Sequence, residues 1–403
     1  MAMPKLRFKE FDGNWKNYKL EDISNIKTGP FGSNLHKEDY VAVGTPIITV
    51  EHLGEISLTT QNLPLVSDTD KLRLSAYSLQ EGDIAFSRVG SVDRCAIVTK
   101  QEKGWLFSGR ILRVRPNNKI VFSKHLMYAL KTEHSKHQIR SAAVGQTMPS
   151  LNTKILKEFI VCLSNSLEEQ TKIATFLSAV DTKIDELTQK HKLLCEYKKG
   201  MMQQLFNQKL RFKADDGSDF KDWEERILGN ICTTFSGGTP TSSNPAFYEG
   251  SIPFIKSGEI AQESTAQFIN KSALDNSSAK LVEKGDLLYA LYGATSGQVA
   301  ISQISGAINQ AVLCIRSETL DTNYLHNYLV FRKQKIISTY LQGGQGNLSA
   351  SILKKISIPT PSFKEQTKIA NFLTAIDQKI DNVAEQIDHA KTWKKGLLQQ
   401  MFV

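Results

Sequence analysis

Apolar residues recur at alternating intervals of four and three in two places along the chain. The first series is Ile173, Leu177, Val180, Ile184, Leu187, His191, Leu194, Lys198, Met201 and Leu205. The second is Ile369, Leu373, Ile376, Ile380, Val383, Ile387, Ala390, Lys394, Leu397 and Met401. Sustained for about five heptads, this spacing is the a/d seam of a coiled coil. An amphipathic helix lying on a globular core would show a wider apolar stripe. Two helices of about 38 residues are therefore predicted, each roughly 57 Å long at 1.5 Å per residue. Lys198 and Lys394 occupy seam positions, where a buried charge is costly, so the seam is expected to open there or the lysines to snorkel to its edge. Gly200 and Gly396 follow two residues later and mark either a close backbone approach or a fraying end. In mid-helix each costs about 1 kcal/mol against alanine.

These helices belong to a longer repeat. "EEQTKIATFLSAVDTKID" at Glu168 to Asp185 returns as "KEQTKIANFLTAIDQKID" at Lys364 to Asp381, and the match runs without a gap to Phe206 and Phe402. The copies close on "YKKGMMQQLF" and "WKKGLLQQMF", and a lead-in precedes each variable region: "LRFKEFDGNWKNY" from Leu6, "LRFKADDGSDFKDW" from Leu210. A period of roughly 200 residues is far beyond that of solenoids, so a whole domain-plus-helix unit is duplicated. The order predicts a first domain over 1–167, a central helix over 168–208, a second domain over 209–363 and a terminal helix over 364–403. A parallel pairing of the helices would need a return connection as long as the rod, and no segment supplies one. An antiparallel pair is expected, with the domains at opposite ends and related by a pseudo-twofold axis.

The variable regions share anchor points. "LQEGDIAFSRVG" matches "VEKGDLLYALYG", each a Gly-Asp turn entering an apolar strand. "SGRILRVRP" pairs with "INQAVLCIRS", and "GQTMPSLNTKILKEFIV" with "GQGNLSASILKKISIP", a polar loop feeding a short helix or turn and then a strand. Short strands, Gly/Pro turns and helices such as Lys124 to Gln138 indicate mixed domains of the α+β class. A scaffold kept while its loops diverge suits two recognition modules for different targets.

Composition narrows the class. A chain of 403 residues with 40% hydrophobic and 23% charged residues is neither disordered nor fibrous and has room for two or three domains. No apolar run approaches the roughly 18 residues a bilayer span needs, and "MAMPKLRFKEFDGNW" lacks a signal core, so a cytoplasmic location is expected. The cysteines Cys95, Cys162, Cys195, Cys232 and Cys314 are scattered without a C-x-x-C pair, which argues against a zinc site or a disulfide framework. A net charge of +9 favours a polyanionic partner without settling the matter.

Catalytic motifs are wanting. "NPAFY" at Asn244 to Tyr248 lacks the second proline of the Asn-Pro-Pro-aromatic motif of adenine methyltransferases, and no glycine-rich loop supplies an S-adenosylmethionine site. "HSKH" at His134 to His137 has no further ligand at zinc spacing. There is no Walker A loop, no G-x-S-x-G and no carboxylate pair placed for acid–base work, which tilts the reading toward a binding protein. Polar and basic loop residues are the candidate readers: Lys27, Ser33, Asn34, Arg88, Arg94 and Arg110 in the first domain, and Thr239, Lys256, Ser257, Tyr292, Thr295, Gln298, Asn309 and Gln345 in the second. Arg and Lys grip phosphates or guanine edges, while Asn and Gln pair bidentately with adenine. Each of these residues has a plainer alternative role, solvated or capping a turn.

The doubled E-Q-T-K-I-A helix, the "KKGMMQQLF" and "KKGLLQQMF" tails and "SGGTPTSSNPAFYEGSIPFIKSGEI" resemble those of type I restriction–modification specificity subunits, over essentially the whole chain. The resemblance implies two target-recognition domains held apart by an antiparallel two-helix coiled coil, each reading one half of a split double-stranded DNA site. It further implies that the helices bind two modification (methyltransferase) subunits, to which restriction subunits add. Those partners would carry the S-adenosylmethionine, ATP and magnesium chemistry, leaving this chain non-catalytic and without a cofactor or metal. "TGPFGSNLH" in the first domain stands where the second has "SGGTPTSSN", so contacts do not transfer from one half to the other. Apolar residues near Phe176, Phe372, Tyr197 and Trp393 offer a partner surface or packing against the domains. A rigid rod would set half-sites about one B-DNA turn, roughly 34–36 Å, apart. Inserting a residue pair that breaks the heptads of either helix is expected to alter the spacer or abolish activity; methylome sequencing that returns the same gapped motif at full occupancy would refute this.

Two other classes stay open. A scaffold whose coiled coil merely joins two domains predicts sequence-independent, salt-insensitive DNA binding or none. A methyltransferase in its own right predicts S-adenosylmethionine binding by the isolated chain.

Overall fold

The computed structural model describes residues 3–30, 35, 37–145, 147–340 and 347–403. The chain forms two units: Met1–Leu187 with Gln386–Val403, and Thr188–Glu385.

In the first unit, strands Trp15–Lys19 and Ile160–Ser164 pair as an antiparallel ribbon. The main sheet orders Ser24–Thr28, Ile111–Pro116, Ile84–Ser87 and Cys95–Ile97, antiparallel throughout. A smaller sheet orders Tyr40–Val41, Leu65–Val66, Thr45–Ile48 and Leu106–Phe107, the last pair parallel. The second unit repeats the ribbon and the main sheet. Its ribbon is Glu224–Ile227 with Ser357–Thr360, and its main sheet runs Thr233–Ser236, Val312–Arg316, Leu287–Ala290 and Val299–Ile301. Its smaller sheet runs Phe268–Ile269, Ile252–Ile255, Gly306–Ile308 and Lys280–Val282, with the two middle strands parallel.

Both Gly-Asp turns do the same local work. Gly82 and Gly285 take φ of +86° and +98°, a left-handed conformation that side chains disfavour. Asp83 then accepts from the Gln80 amide and pairs with Arg115, as Asp286 accepts from the Glu283 amide and pairs with Arg316. The strands that follow are buried on both faces, so alternate residues feed two cores. Ile84 and Phe86 point into one and Ala85 into the other; Leu287 and Tyr289 oppose Leu288 and Ala290 in the same way.

One predicted helix is divided. Lys124 to Gln138 lies across two helices, Ser123–Leu130 and Glu133–Ala142, because the Thr132 hydroxyl accepts from the Ser135 amide and caps the second. The corresponding helix of the second unit, Thr322–Tyr340, is unbroken.

The central helix spans Leu167–Phe206 and the terminal helix Phe363–Met401. Seam residues Ile173, Leu177, Val180, Leu187, Ile369, Leu373, Ile376, Val383 and Ile387 are buried, while Ile184, Leu194 and Ile380 are half-buried. The seam lysines neither open the pair nor snorkel. Lys394 meets Asp181 at 2.6 Å, and Lys198 meets Asp377 at 2.6 Å. A facing carboxylate supplies the counter-charge that makes each position tolerable, and Tyr128 donates a further hydrogen bond to Asp181. One such pair falls in each unit, Asp181 with Lys394 in the first and Lys198 with Asp377 in the second. Among the described residues a Cβ added at Gly200 or Gly396 would meet nothing within 4 Å, so none of their backbone demands glycine there.

The repeated lead-in and Glu-Gln motifs prove to be one fastening. Arg7 donates to both Glu169 carboxylate oxygens at 2.6 and 2.8 Å, and Arg211 to both of Glu365 at 3.1 and 3.0 Å. Gln170 accepts from the Phe122 amide and donates to the carbonyls of Ser164 and Ile120. Gln366 does the same with the Asp321 amide and the carbonyls of Pro361 and Thr319. Phe8 and Phe212 stand edge-on to Phe176 and Phe372, with ring centroids 5.8 and 5.6 Å apart.

Candidate nucleic-acid interface

In the first unit several connecting segments meet at one end of the main sheet. Strand Ser24–Thr28 runs into Gly29, where a Cβ would lie 2.0 Å from the Ser108 carbonyl oxygen, so only glycine lets these two segments approach. Strand Ile84–Ser87 runs into Arg88, whose amide donates to the Arg110 carbonyl at 2.9 Å and whose carbonyl accepts from the Leu151 amide at 2.8 Å. Arg88 and Arg110 are thereby brought together, the first half-buried and donating to the Gly109 carbonyl, the second exposed. Burial lowers the Arg88 pKa from a value so high that the guanidinium keeps its charge. The Tyr40 pKa is raised by burial and by Asp39, and the Arg110 charge opposes the rise.

The other nominees of this unit lie elsewhere. Lys27 is in mid-strand, donates to the Ala76 carbonyl at 2.9 Å and stands 4.6 Å from the Tyr77 ring centroid. Arg94 donates to the Leu53 carbonyl, in a cavity it shares with Glu51, Glu55, Lys131 and Lys136. Ser33 and Asn34 lie outside the described residues.

The second unit gathers more of its nominees. A Cβ at Gly237 would come within 1.8 Å of the Ile308 carbonyl oxygen, the same tight approach as at Gly29. Just beyond, the exposed Thr239 donates to the Gln310 side-chain carbonyl at 2.5 Å, and the Asn309 side chain accepts from the Ala311 amide. The Leu291 amide reaches the Ala311 carbonyl, which sets Tyr292 beside them. Gly293 and Gly297, at φ of +90° and +80°, bracket the Thr295 turn, and the Ala290 amide donates to the Gln298 carbonyl. The Thr295 hydroxyl is shielded and has no hydrogen-bond partner among the described residues. Ser257 lies 3.9 Å from where a Gly293 Cβ would stand, and the adjoining Lys256 gives its amide to Glu259. Gln345 lies outside the described residues.

Sequence reasoning passed over Gln310 and Glu259. Gln310 had a signal, since it follows Asn309 at the entry to a strand. Glu259 receives amides from Lys256 and Ala266 and so fixes the loop that carries Lys256 and Ser257.

The residues weighed for catalysis are engaged in structure. Pro245–Tyr248 forms a short helical turn, tied down by the Tyr248 hydroxyl on the Pro240 carbonyl and by the Asn270 amide on Ala246. His134 faces the Gln138 side chain at 2.9 Å. Among the described residues no group of three or more His, Cys, Asp or Glu could hold a metal ion, and no helix is long and apolar enough to cross a membrane. What the arrangement can do is present arginines in one unit and amides and hydroxyls in the other, each on loops braced by a rigid sheet end. Those are the groups that contact phosphates and base edges.

Residues 12–194 and 220–391 match the model of the type I restriction modification DNA specificity domain. The putative type I restriction enzyme MjaX specificity subunit of Methanocaldococcus jannaschii is 29% identical, across 96% of this chain and 93% of its own length. The EcoR124I/EcoR124II specificity subunit of Escherichia coli is 25% identical across 43% of this chain and 46% of its own. The type I restriction-modification system S subunit from M. genitalium, a solved structure, superposes with a TM-score of 0.65 at 18% identity, covering 100% of this chain and 99% of that one.

Proposed function

The chain belongs to the type I restriction–modification DNA specificity family, and from that premise we propose how its parts divide the work. As a specificity subunit it recognises DNA sequence and leaves catalysis to other chains of the complex. Each unit reads one half of a bipartite, gapped site in double-stranded DNA. The observation that carries this reading is one ribbon and main sheet repeated in both units under unlike loop ends. Arg88 and Arg110 in the first favour phosphates and guanine edges, while Asn309, Gln310 and Gln298 in the second favour adenine edges.

The paired helices set the half-site spacing and bind two modification subunits, with restriction subunits joining them. Support for that surface comes from Tyr197 and Trp393, repeat-equivalent positions that are 51% and 54% exposed. Phe176 and Phe372 are half-buried against Phe8 and Phe212 and belong to the fastening instead. S-adenosylmethionine, ATP and magnesium belong to the partner subunits, and the complex works in the cytoplasm.

Expressing the chain with and without its modification subunits, and mapping genomic N6-methyladenine, tests the reading. A new split motif is expected only on co-expression. Methylation directed by the chain alone, or an unsplit motif on co-expression, would overturn it.

A further inference from the structure

The first unit's interface carries an apolar tip that hydrogen-bonding readout leaves unused. After helix Glu133–Ala142 the chain turns back on itself. Val144 and Ser150 exchange backbone hydrogen bonds of 3.0 and 2.9 Å, and Gly145 takes φ of +103°. The Gly90 amide donates to the Pro149 carbonyl at 2.9 Å, and the Leu151 amide to the Arg88 carbonyl at 2.8 Å. The turn is thus fixed to the segment that bears Arg88. From it Val144 and Met148 project, 63% and 66% exposed. Scattered surface hydrophobes need no explanation. Here two large ones share a braced turn, stiffened by Pro149, against the arginine cluster. Leu348 corresponds to Leu151, since its amide bonds Leu291 as that of Leu151 bonds Arg88. Between Gly-Gln and that leucine the second unit has only "GN" where the first has "TMPS". The apolar tip is therefore peculiar to one half.

Resting on the reading of this end as DNA-facing, we propose that Met148 is a wedge that enters the base stack of the half-site read by the first unit and partly unstacks one step. An unbranched, polarisable thioether fits an irregular gap between bases, and apolar wedges of this size kink duplexes at a step. Arg88 and Arg110 neutralise phosphates flanking the bend. The wedge selects a flexible pyrimidine–purine step without a hydrogen bond to either base.

The full chain in complex with its modification subunits is mixed with duplexes of its own methylated motif. These carry 2-aminopurine at successive positions other than the methylated adenines, which a methyltransferase would flip. Fluorescence is expected to rise at one step of the first half-site. Met148→Ala is expected to abolish the rise and weaken binding about tenfold, and Met148→Leu to keep both. Thermal unfolding equal to that of the parent shows that the turn is intact. A rise that survives in Met148→Ala, or none at any position with the parent complex, overturns the wedge while the split motif still stands. A complex that methylates no split motif overturns the specificity reading and takes the wedge with it.

Discussion

Glu365→Ala is expected to cost the second unit about 3 kcal/mol, the low end of the 3–5 kcal/mol for deleting one partner of a buried charge pair. The Glu365 side chain is fully buried, and it accepts from Arg211 and from the Trp223 indole N–H at 3.0 Å. Its loss leaves the Trp223 N–H without that acceptor and Arg211 without its buried counter-charge, though Arg211 keeps the Phe220 and Lys221 carbonyls and is 23% exposed. Glu169→Ala is expected to cost the first unit more, because Arg7 is only 13% exposed. In a chain of two units a single melting transition is not assured, so hydrogen exchange resolved by segment is the measurement. Protection of helix Thr322–Tyr340 and strand Ser357–Thr360 should fall about 100-fold in Glu365→Ala, with the first unit unchanged. A loss under about tenfold would show that the fastening is decorative.

In the first unit Glu169 should also shape the acid limb of stability. Burial acts to raise the Glu169 pKa, but hydrogen bonds from Arg7 and Ser164 outweigh it and hold the group below its ordinary value. The stabilisation is therefore complete above about pH 4.3, the unfolded value, and is lost as the pH falls through the lower folded one. Glu169→Gln should flatten that dependence.

What the sequence disclosed follows from what is local or repeated. The four-three spacing located both long helices, and the Gly-Asp turns located the strands behind them, because each signal lies within one element. The repeat announced that Leu-Arg-Phe and Glu-Gln mattered twice over. Their bond to each other was hidden, since 162 residues separate Arg7 from Glu169 and 154 separate Arg211 from Glu365. The break at Thr132 was missed because a capping hydroxyl in mid-helix looks like any polar residue until its neighbour's amide is free to reach it. At the interface, loop residues such as Thr239 and Asn309 could be nominated by type, but their grouping depends on which strand ends adjoin. Lys27 shows the limit: its residue type suited a reader, yet its strand position turns it toward Tyr77. The seam lysines were misjudged for a related reason. Their partners Asp181 and Asp377 follow seam residues directly, and nothing in the chain order says which lysine each will meet.

The two ion pairs offer an internal comparison, and it yields the second large effect. Lys394→Ala is expected to cost about 3–5 kcal/mol, because Asp181 would be left with its charge buried and only Tyr128 and its surroundings to answer it. The repeat-equivalent Lys198→Ala removes the same chemistry at the same distance, yet about 1 kcal/mol is expected. The difference is water. In the first pair both side chains are 11% exposed, whereas Asp377 in the second is 37% exposed and rehydrates when its lysine goes. Raising the salt to about 1 M, where the Debye length shrinks to roughly 3 Å, should erase most of the Lys198 effect and little of the Lys394 effect. Replacing Lys394 and Asp181 together by Met and Leu should recover most of the loss, since an apolar pair carries no desolvation cost. Segment-resolved exchange on the helix ends distinguishes the variants. Equal losses at the two lysines, with equal salt dependence, would mean that burial is not what sets the strength of these pairs.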